Sequence, residues 1–297
     1  MVVAHDAGGA ENVSSWVAHN PHYTYSFLLD GPAVGIFSKK LGEINLLTKG
    51  DLSSSLYTPE IVLTGTSWAS DLEKETVKWA MQKGICSVSY LDHWCNYVSR
   101  FQNGSEFILP NEIWVGDEDA YEMARRCFGE HPIRLVPNPY FMDVEQEFLK
   151  YKKDDRDSSD LRILYICEVF SEAGVKLSSG ELVEFRSMDL FFEHLKSITS
   201  DKAEVSVRLR AHPAEKPGKY AEYLTNTGPF KVETSGGATL VEDCVWADWV
   251  VGMNSMALII ARIGGKKVYY CNLDGAKPKN LPITGLMNFI DTTTSES

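Results

Sequence analysis

Two short segments carry residues suited to holding an anion. In Val205–Lys216 (VSVRLRAHPAEK) a β-branched, alternating run ends in Arg210-Ala211-His212-Pro213. In Trp249–Arg262 (WVVGMNSMALIIAR) a buried-strand pattern meets Gly252, and a helix then opens at Asn254-Ser255. The first segment offers a guanidinium and an imidazole at a strand end. Pro213 keeps His212 in extended backbone, so its ring is expected to project from the sheet edge. The second offers a hydroxyl and the free N–H groups of a helix start. A phosphate fits both sets. The other His-Pro pair, His131-Pro132, precedes a strand and reads as structural.

Open parallel sheets bind ligands at the carboxyl ends of their strands. In the first half of the chain those ends supply His5, Asp6, Gly8 and Gly9, then Thr66 and Ser67, then Asp92 and His93, then Asn138. In the second half Glu168 joins Arg210, His212, Asn254 and Ser255. Asp6 or Asp92 has the chemistry of a general base for a hydroxyl, with His93 beside it. Each also has a plainer use: Asp6 as a carboxylate favoured at a helix N-terminus, Asp92 as a cap. Ser255 has N-capping as its plainer use, and Glu168 that of a solvated loop carboxylate. The Gly8-Gly9 pair lets a ligand approach the backbone, or simply makes a tight turn; it lacks the full GxGxxG of a dinucleotide site. Asp117-Glu118-Asp119 has the form of a metal-binding DxD, but three acids at a helix start match the helix dipole. No metal and no cofactor are expected.

The elements that position these groups alternate. Strands are expected at Val2–His5, Tyr23–Leu29, Ile61–Leu63, Cys86–Leu91, Glu112–Val115 and Ile133–Val136. Helices are expected from Glu11, over Ala33–Leu41, over Asp71–Lys83 and over Asp117–Cys127. Asp6–Ala10 reads as a loop. Residues 141–160 read as a helix and then an exposed polar connector. A second series follows, with strands Leu161–Cys167, Val205–Arg210, Phe230–Val232, Trp249–Val251 and Lys267–Cys271. Its helices are Met188–Ser200, Lys219–Asn226, Thr239–Trp246 and Ser255–Ile263. Alternation of this kind makes parallel sheets. The expected class is α/β, with two Rossmann-like domains facing across a cleft: 1–140 on the acceptor and base side, 141–160 the connector, and 161–297 on the nucleotide-sugar side.

Bulk properties narrow the function. At 297 residues, 44% hydrophobic and 24% charged, the chain has the length and composition of a two-domain soluble protein. A formal charge of −12 argues against a nucleic-acid partner, which wants a basic face. MVVAHDAGGA has no basic segment and is not expected to be a signal peptide. No apolar run reaches the ~18–20 residues of a membrane span, so at most peripheral membrane contact is expected. Six cysteines without CxxC spacing read as reduced, mostly buried thiols of a cytoplasmic protein.

With these residues in view, the chain resembles GT-B glycosyltransferases. It is similar more narrowly to bacterial transferases that use CMP-activated acidic sugars, sialic acid or Kdo, in capsule or lipopolysaccharide assembly. The likeness rests on R-L-R-A-H-P (208–213), V-G-M-N-S-M (251–256) and D-A-G-G-A (6–10). The resemblance implies that His212 and Ser255 hold the nucleotide phosphate and that Asp6, or else Asp92, is the base. It implies a CMP-sugar donor and a glycan or glycolipid acceptor. The family usually ends in a long crossing helix, which Thr292–Ser297 is not expected to supply. Two alternatives stand beside transfer: a nucleotide-sugar epimerase or hydrolase of the same architecture, and a non-catalytic nucleotide-sugar binding protein.

Overall fold

The computed structural model describes residues 1–52, 58–151, 160–170, 176–199, 204–212, 215–225, 227–273, 278, 281–282 and 285–293. They belong to two compact units, 1–143 and 144–297. The protein is α/β, with one six-stranded parallel sheet in each unit.

Unit 1 contains strands β1 (Val2–Ala4), β2 (Phe27–Leu29), β3 (Ile61–Thr64) and β4 (Cys86–Leu91), a hairpin of β5 (Gln102–Asn103) and β6 (Glu106–Phe107), then β7 (Glu112–Val115) and β8 (Ile133–Leu135). Its helices are α1 (Ala7–His19), α2 (Pro32–Leu41), α3 (Lys49–Leu52), α4 (Leu72–Lys83), α5 (Tyr97–Arg100) and α6 (Glu118–Phe128), and α7 (Pro139–Phe148) runs across the boundary at residue 143. The sheet order is β2-β1-β3-β4-β7-β8. Strand alternation divides the core in two. Val2 and Ala4 pack with Val13, Val17, Phe37 and Tyr90 on one face, while Val3 packs with Val62, Leu72 and Ala80 on the other. Both faces are covered, as parallel sheets require.

The expected loop at Asp6–Ala10 is instead the first turn of α1, which takes in Gly8 and Gly9. These glycines serve close packing. A Cβ on Gly8 would lie 2.1 Å from Asp92 Oδ2, and one on Gly9 would lie 3.1 Å from the Thr66 nitrogen. Gly65 reciprocates, since its Cβ would fall 3.1 Å from Gly9 Cα. The strand expected over Tyr23–Leu29 is also shorter. Tyr23 and Tyr25 gather around Trp16 of α1 rather than pairing in the sheet.

Unit 2 contains β9 (Asp160–Ile166), β10 (Glu204–Arg210), β11 (Lys231–Thr234), β12 (Trp249–Gly252), β13 (Lys267–Tyr270) and β14 (Met287–Asn288), with α8 (Val183–Ile198), α9 (Leu240–Trp246) and α10 (Met256–Ile263). The order is β11-β10-β9-β12-β13-β14, all parallel. Ile163, Tyr165, Val207, Leu209, Val251 and Tyr269 pack against Met188, Phe191 and Leu195 of α8 and against Phe289. A full capping box between Thr239 and Glu242 starts α9. The helix expected at Lys219–Asn226 is a turn and a short 3-10 segment, Ala221–Leu224, and Asn226 lies outside the described residues. Strand β14 has only two residues and carries no periodic signal.

Helix α7 fills the first part of the expected connector, and residues 152–159 lie outside the described ones. All six cysteines are free thiols; Cys167, Cys244 and Cys271 are buried, whereas Cys86 and Cys127 are exposed. Among the described residues no helix is long and apolar enough to cross a membrane.

Candidate functional site

Each sheet reverses its direction of growth once. In unit 2 the chain builds β9, β10 and β11 toward one edge, then crosses to β12 and builds β13 and β14 toward the other. The switch therefore lies between β9 and β12, the place where open α/β sheets bind ligands. Glu168, two residues past β9, sits there. Its Oε1 accepts the N–H groups of Met253, at 3.0 Å, and of Asn254, and the Ser255 N–H also reaches the carboxylate. Burial raises the Glu168 pKa to about 7, against the opposing pull of those hydrogen bonds. Glu168 is thus a half-buried cap rather than a solvated loop carboxylate. Ser255 is the N-cap of α10, its hydroxyl accepting the Ala257 N–H at 3.2 Å. Both Asn254 and Ser255 are half-exposed.

On the other side of β9 stands the end of β10. The His212 side chain is exposed. Its backbone is clasped: the His212 N–H donates to Glu215 Oε2 at 2.7 Å, and its carbonyl accepts the Glu215 N–H at 2.9 Å. Glu215 in turn accepts hydrogen bonds from Lys219 and Tyr220. Pro213 lies outside the described residues. Two strand spacings, about 10 Å, separate the ends of β10 and β12, with Glu168 between them.

Arg210 takes a different place from the one expected. Its guanidinium donates to the buried Asp243, to Ser235 Oγ and to the Ala238 carbonyl. Arg208 bonds the other oxygen of Asp243 at 3.1 Å. The alternation of β10 puts Leu209 in the core and turns both arginines toward α9. Arg210 is a structural ion-pair member here, and its charge is already matched.

Unit 1 repeats the plan. Its switch lies between β1 and β3, and Asp6, two residues past β1, sits there. Asp6 Oδ1 accepts Ser67 Oγ and pairs with His5 Nδ1, both at 2.7 Å; Oδ2 accepts the N–H groups of Trp68, at 2.6 Å, and Ala69, at 3.2 Å. Partial burial opposes ionisation, but these hydrogen bonds from His5, Ser67, Trp68 and Ala69 outweigh it and hold the carboxyl below its ordinary range. With Nδ1 turned to Asp6, the lone pair of a neutral His5 is on Nε2. That atom packs over Gly31, where a Cβ would lie 2.7 Å away, and Gly31 has φ +54. The arrangement is a carboxylate-oriented imidazole. His5, expected only to line the site, has better base geometry than Asp6.

Asp92 is occupied as well. Its Oδ1 accepts Arg100 Nη1 at 2.8 Å and Thr66 Oγ1 at 3.0 Å, and Arg100 also reaches Thr66 Oγ1 at 2.9 Å. The pair is buried. Burial lowers the His93 pKa, and its Nδ1 accepts the Trp94 N–H at 3.0 Å, leaving Nε2 as the protonated nitrogen. Asn138 caps α7 through Oδ1, which accepts the Tyr140 and Phe141 N–H groups. Asp117 caps α6 and also accepts the Trp94 indole N–H. Behind the site lies Glu73, which sequence reading did not single out. It is 4% exposed, accepts the His5 backbone N–H at 2.8 Å, and leaves Oε2 without a hydrogen-bond partner among the described residues. Burial pushes its pKa up to about 7. Glu73 shares the first turn of α4 with Glu75, and nothing in the sequence marked one of the two for burial.

No family model matches the chain, and no curated protein matches it. Solved structures do. A UDP-GlcNAc 2-epimerase from Neisseria meningitidis, bound to UDP-GlcNAc, aligns with TM-score 0.62 at 12% identity over 93% of this chain and 82% of its own. A UDP-GlcNAc 2-epimerase from Methanocaldococcus jannaschii aligns with TM-score 0.58 at 13% identity over 93% and 84%. MurG from Acinetobacter baumannii aligns with TM-score 0.52 at 9% identity over 93% and 79%. At such identities the likeness is one of fold, and the fold is the two-domain GT-B type.

Proposed function

We propose that the protein is a GT-B enzyme acting on a nucleotide-activated sugar, and that it transfers the sugar to a hydroxyl acceptor. The observation that carries this reading is the set of N–H groups at 253–255. They already bind a carboxylate at the switch point, beside the helix N-cap Ser255 and one strand removed from His212. Such a set stabilises the charge that grows on a departing phosphate.

In the proposed reaction the anomeric carbon–oxygen bond to the phosphate breaks and the nucleotide leaves with the bonding pair. The acceptor oxygen forms the new bond, and its proton passes to a general base, for which the His5 Nε2 is the candidate that unit 1 offers. Asp6 orients that ring and stabilises the imidazolium formed. Arg210 has no part in this scheme, and Asp92 serves as the partner of Arg100. A CMP-linked acidic sugar is the favoured donor, on the resemblance of residues 208–213 and 251–256. A bacterial surface glycan or glycolipid is the favoured acceptor on the same ground.

Epimerisation is the second reading, because two of the aligned structures are UDP-GlcNAc 2-epimerases. It asks for proton removal at carbon, whereas unit 1 presents one imidazole base and two carboxylates that are already engaged.

A thermal-shift panel of CMP, CDP, UDP, GDP and NAD tests the reading. A CMP shift that disappears in His212→Ala supports it. A shift with UDP alone moves the donor to UDP-sugars, and a shift with NAD alone overturns the class. Incubation with the stabilising nucleotide's sugar and a hydroxyl acceptor then separates transfer from epimerisation by the product formed.

A further inference from the structure

Glu168 presents a question that nucleotide binding alone leaves open: a carboxylate occupies the N–H groups that a phosphate would need. Among the described residues no Lys, Arg or His side chain pairs with it. Its partners are the backbone amides of 253–255, and the nearby Glu215 carboxylate repels it. A carboxylate buried on amides alone is held less firmly than one matched by a cation. The side chain lies just beyond the end of β9, with rotatable bonds enough to swing away.

We propose that Glu168 is an exchangeable occupant of the phosphate site. It fills the amide nest at 253–255 while the site is empty, and it leaves when the phosphate of the nucleotide enters. This rests on the reading of 253–255 as the phosphate site. A nucleoside monophosphate wins because its phosphate carries up to two charges and three acceptor oxygens against the carboxylate's single charge. Apparent affinity is then the intrinsic affinity reduced by the fraction of molecules whose nest is open. Glu168 so acts as a built-in competitor. It keeps the amides of 253–255 satisfied without ligand, and it discriminates against ligands that lack a strong anion.

Nucleotides and nucleosides distinguish this from a merely structural cap. Titrations of the full chain with CMP, UMP, cytidine, uridine and inorganic phosphate are to be compared in wild type, Glu168→Gln and Glu168→Ala. The expected result is a variant that melts lower without ligand yet binds the nucleotide more tightly, by about tenfold for a nest closed about nine-tenths of the time. Nucleoside affinity stays unchanged. Glu168→Gln keeps an acceptor oxygen for the amides and serves if Glu168→Ala does not fold.

Unchanged nucleotide affinity in both variants overturns the proposal. So does parallel weakening of nucleotide and nucleoside, which would mean that Glu168 touches the ribose or base. Failure of every nucleotide in wild type and variants alike sinks the nucleotide-sugar reading instead. Stronger protection of the variants by inorganic phosphate would then leave Glu168 as an anion competitor, and no such protection would end both ideas.

Discussion

Asp6 and Glu168 occupy the same position in two different sheets. Each lies two residues beyond the first strand of its unit, at the switch point. Each turns its carboxylate onto the loop that follows the neighbouring strand: residues 67–69 after β3, residues 253–255 after β12. The outcome is opposite. Asp6 collects a hydroxyl and an imidazole besides two amides, and its pKa falls. Glu168 has amides alone, burial dominates, and its pKa rises to about 7. The same topology therefore yields a fixed orienting group in unit 1 and a weakly held one in unit 2. Side-chain donors, rather than the loop amides common to both, decide which.

The sharpest test of that contrast is catalytic. His5→Ala should lower kcat by about 10²–10⁴-fold, the usual worth of a general base, and Asp6→Asn should come close to it by losing the tautomer control. If Asp6→Asn inactivates and His5→Ala does not, the base is Asp6 itself. Next in size is the support under unit 1. Arg100→Met leaves the buried Asp92 carboxylate without its cation and should cost about 3–5 kcal/mol in denaturant unfolding. Gly8→Ala forces a methyl into Asp92 Oδ2 and should cost about 1–3 kcal/mol, with circular dichroism showing the fold retained.

The pH dependence of stability comes last. Glu73 and Glu168 both have native pKa values near 7, raised from 4.5. The native state thus binds their protons more tightly than the unfolded state does. The favourable contribution is complete below about pH 4.5 and is lost as pH rises toward 7. Thermal melts should therefore fall across that window, with Glu168→Gln or Glu73→Gln each removing about 1 kcal/mol per pH unit of the slope. Asp6→Asn should alter that window only through Glu73, whose pKa the Asp6 charge helps to raise, since the depressed pKa of Asp6 itself acts at lower pH. A flat profile in wild type would erase the distinction between the two carboxylates.

Much of the fold was legible because parallel strands and helices announce themselves by period and by their Gly and capping residues. The alternation in VSVRLR located β10, and Ser255 before an apolar run located the start of α10. The partners of the charged groups were not legible. Arg210 reads as an anion ligand until Asp243, from a helix far along the chain, is seen to take it. The alternation did put Arg208 and Arg210 on one face, but nothing local said what covers that face. Gly8-Gly9 looked like a ligand loop because the sequence cannot show that Asp92 and Gly65 approach them. Likewise His-Pro-Ala-Glu showed its His and Pro, whereas the clasp made by Glu215 became visible only in three dimensions.

The contact of Gly9 with Gly65 has a mechanical consequence. There the chain touches itself main chain to main chain, with no side chain to act as a spacer or a bearing. The first turn of α1 and the loop behind β3 are consequently packed without a gap, and the Ser67 hydroxyl bonded to Asp6 ties the same two segments together. A methyl at either glycine would act as a wedge that spreads both strand ends at once.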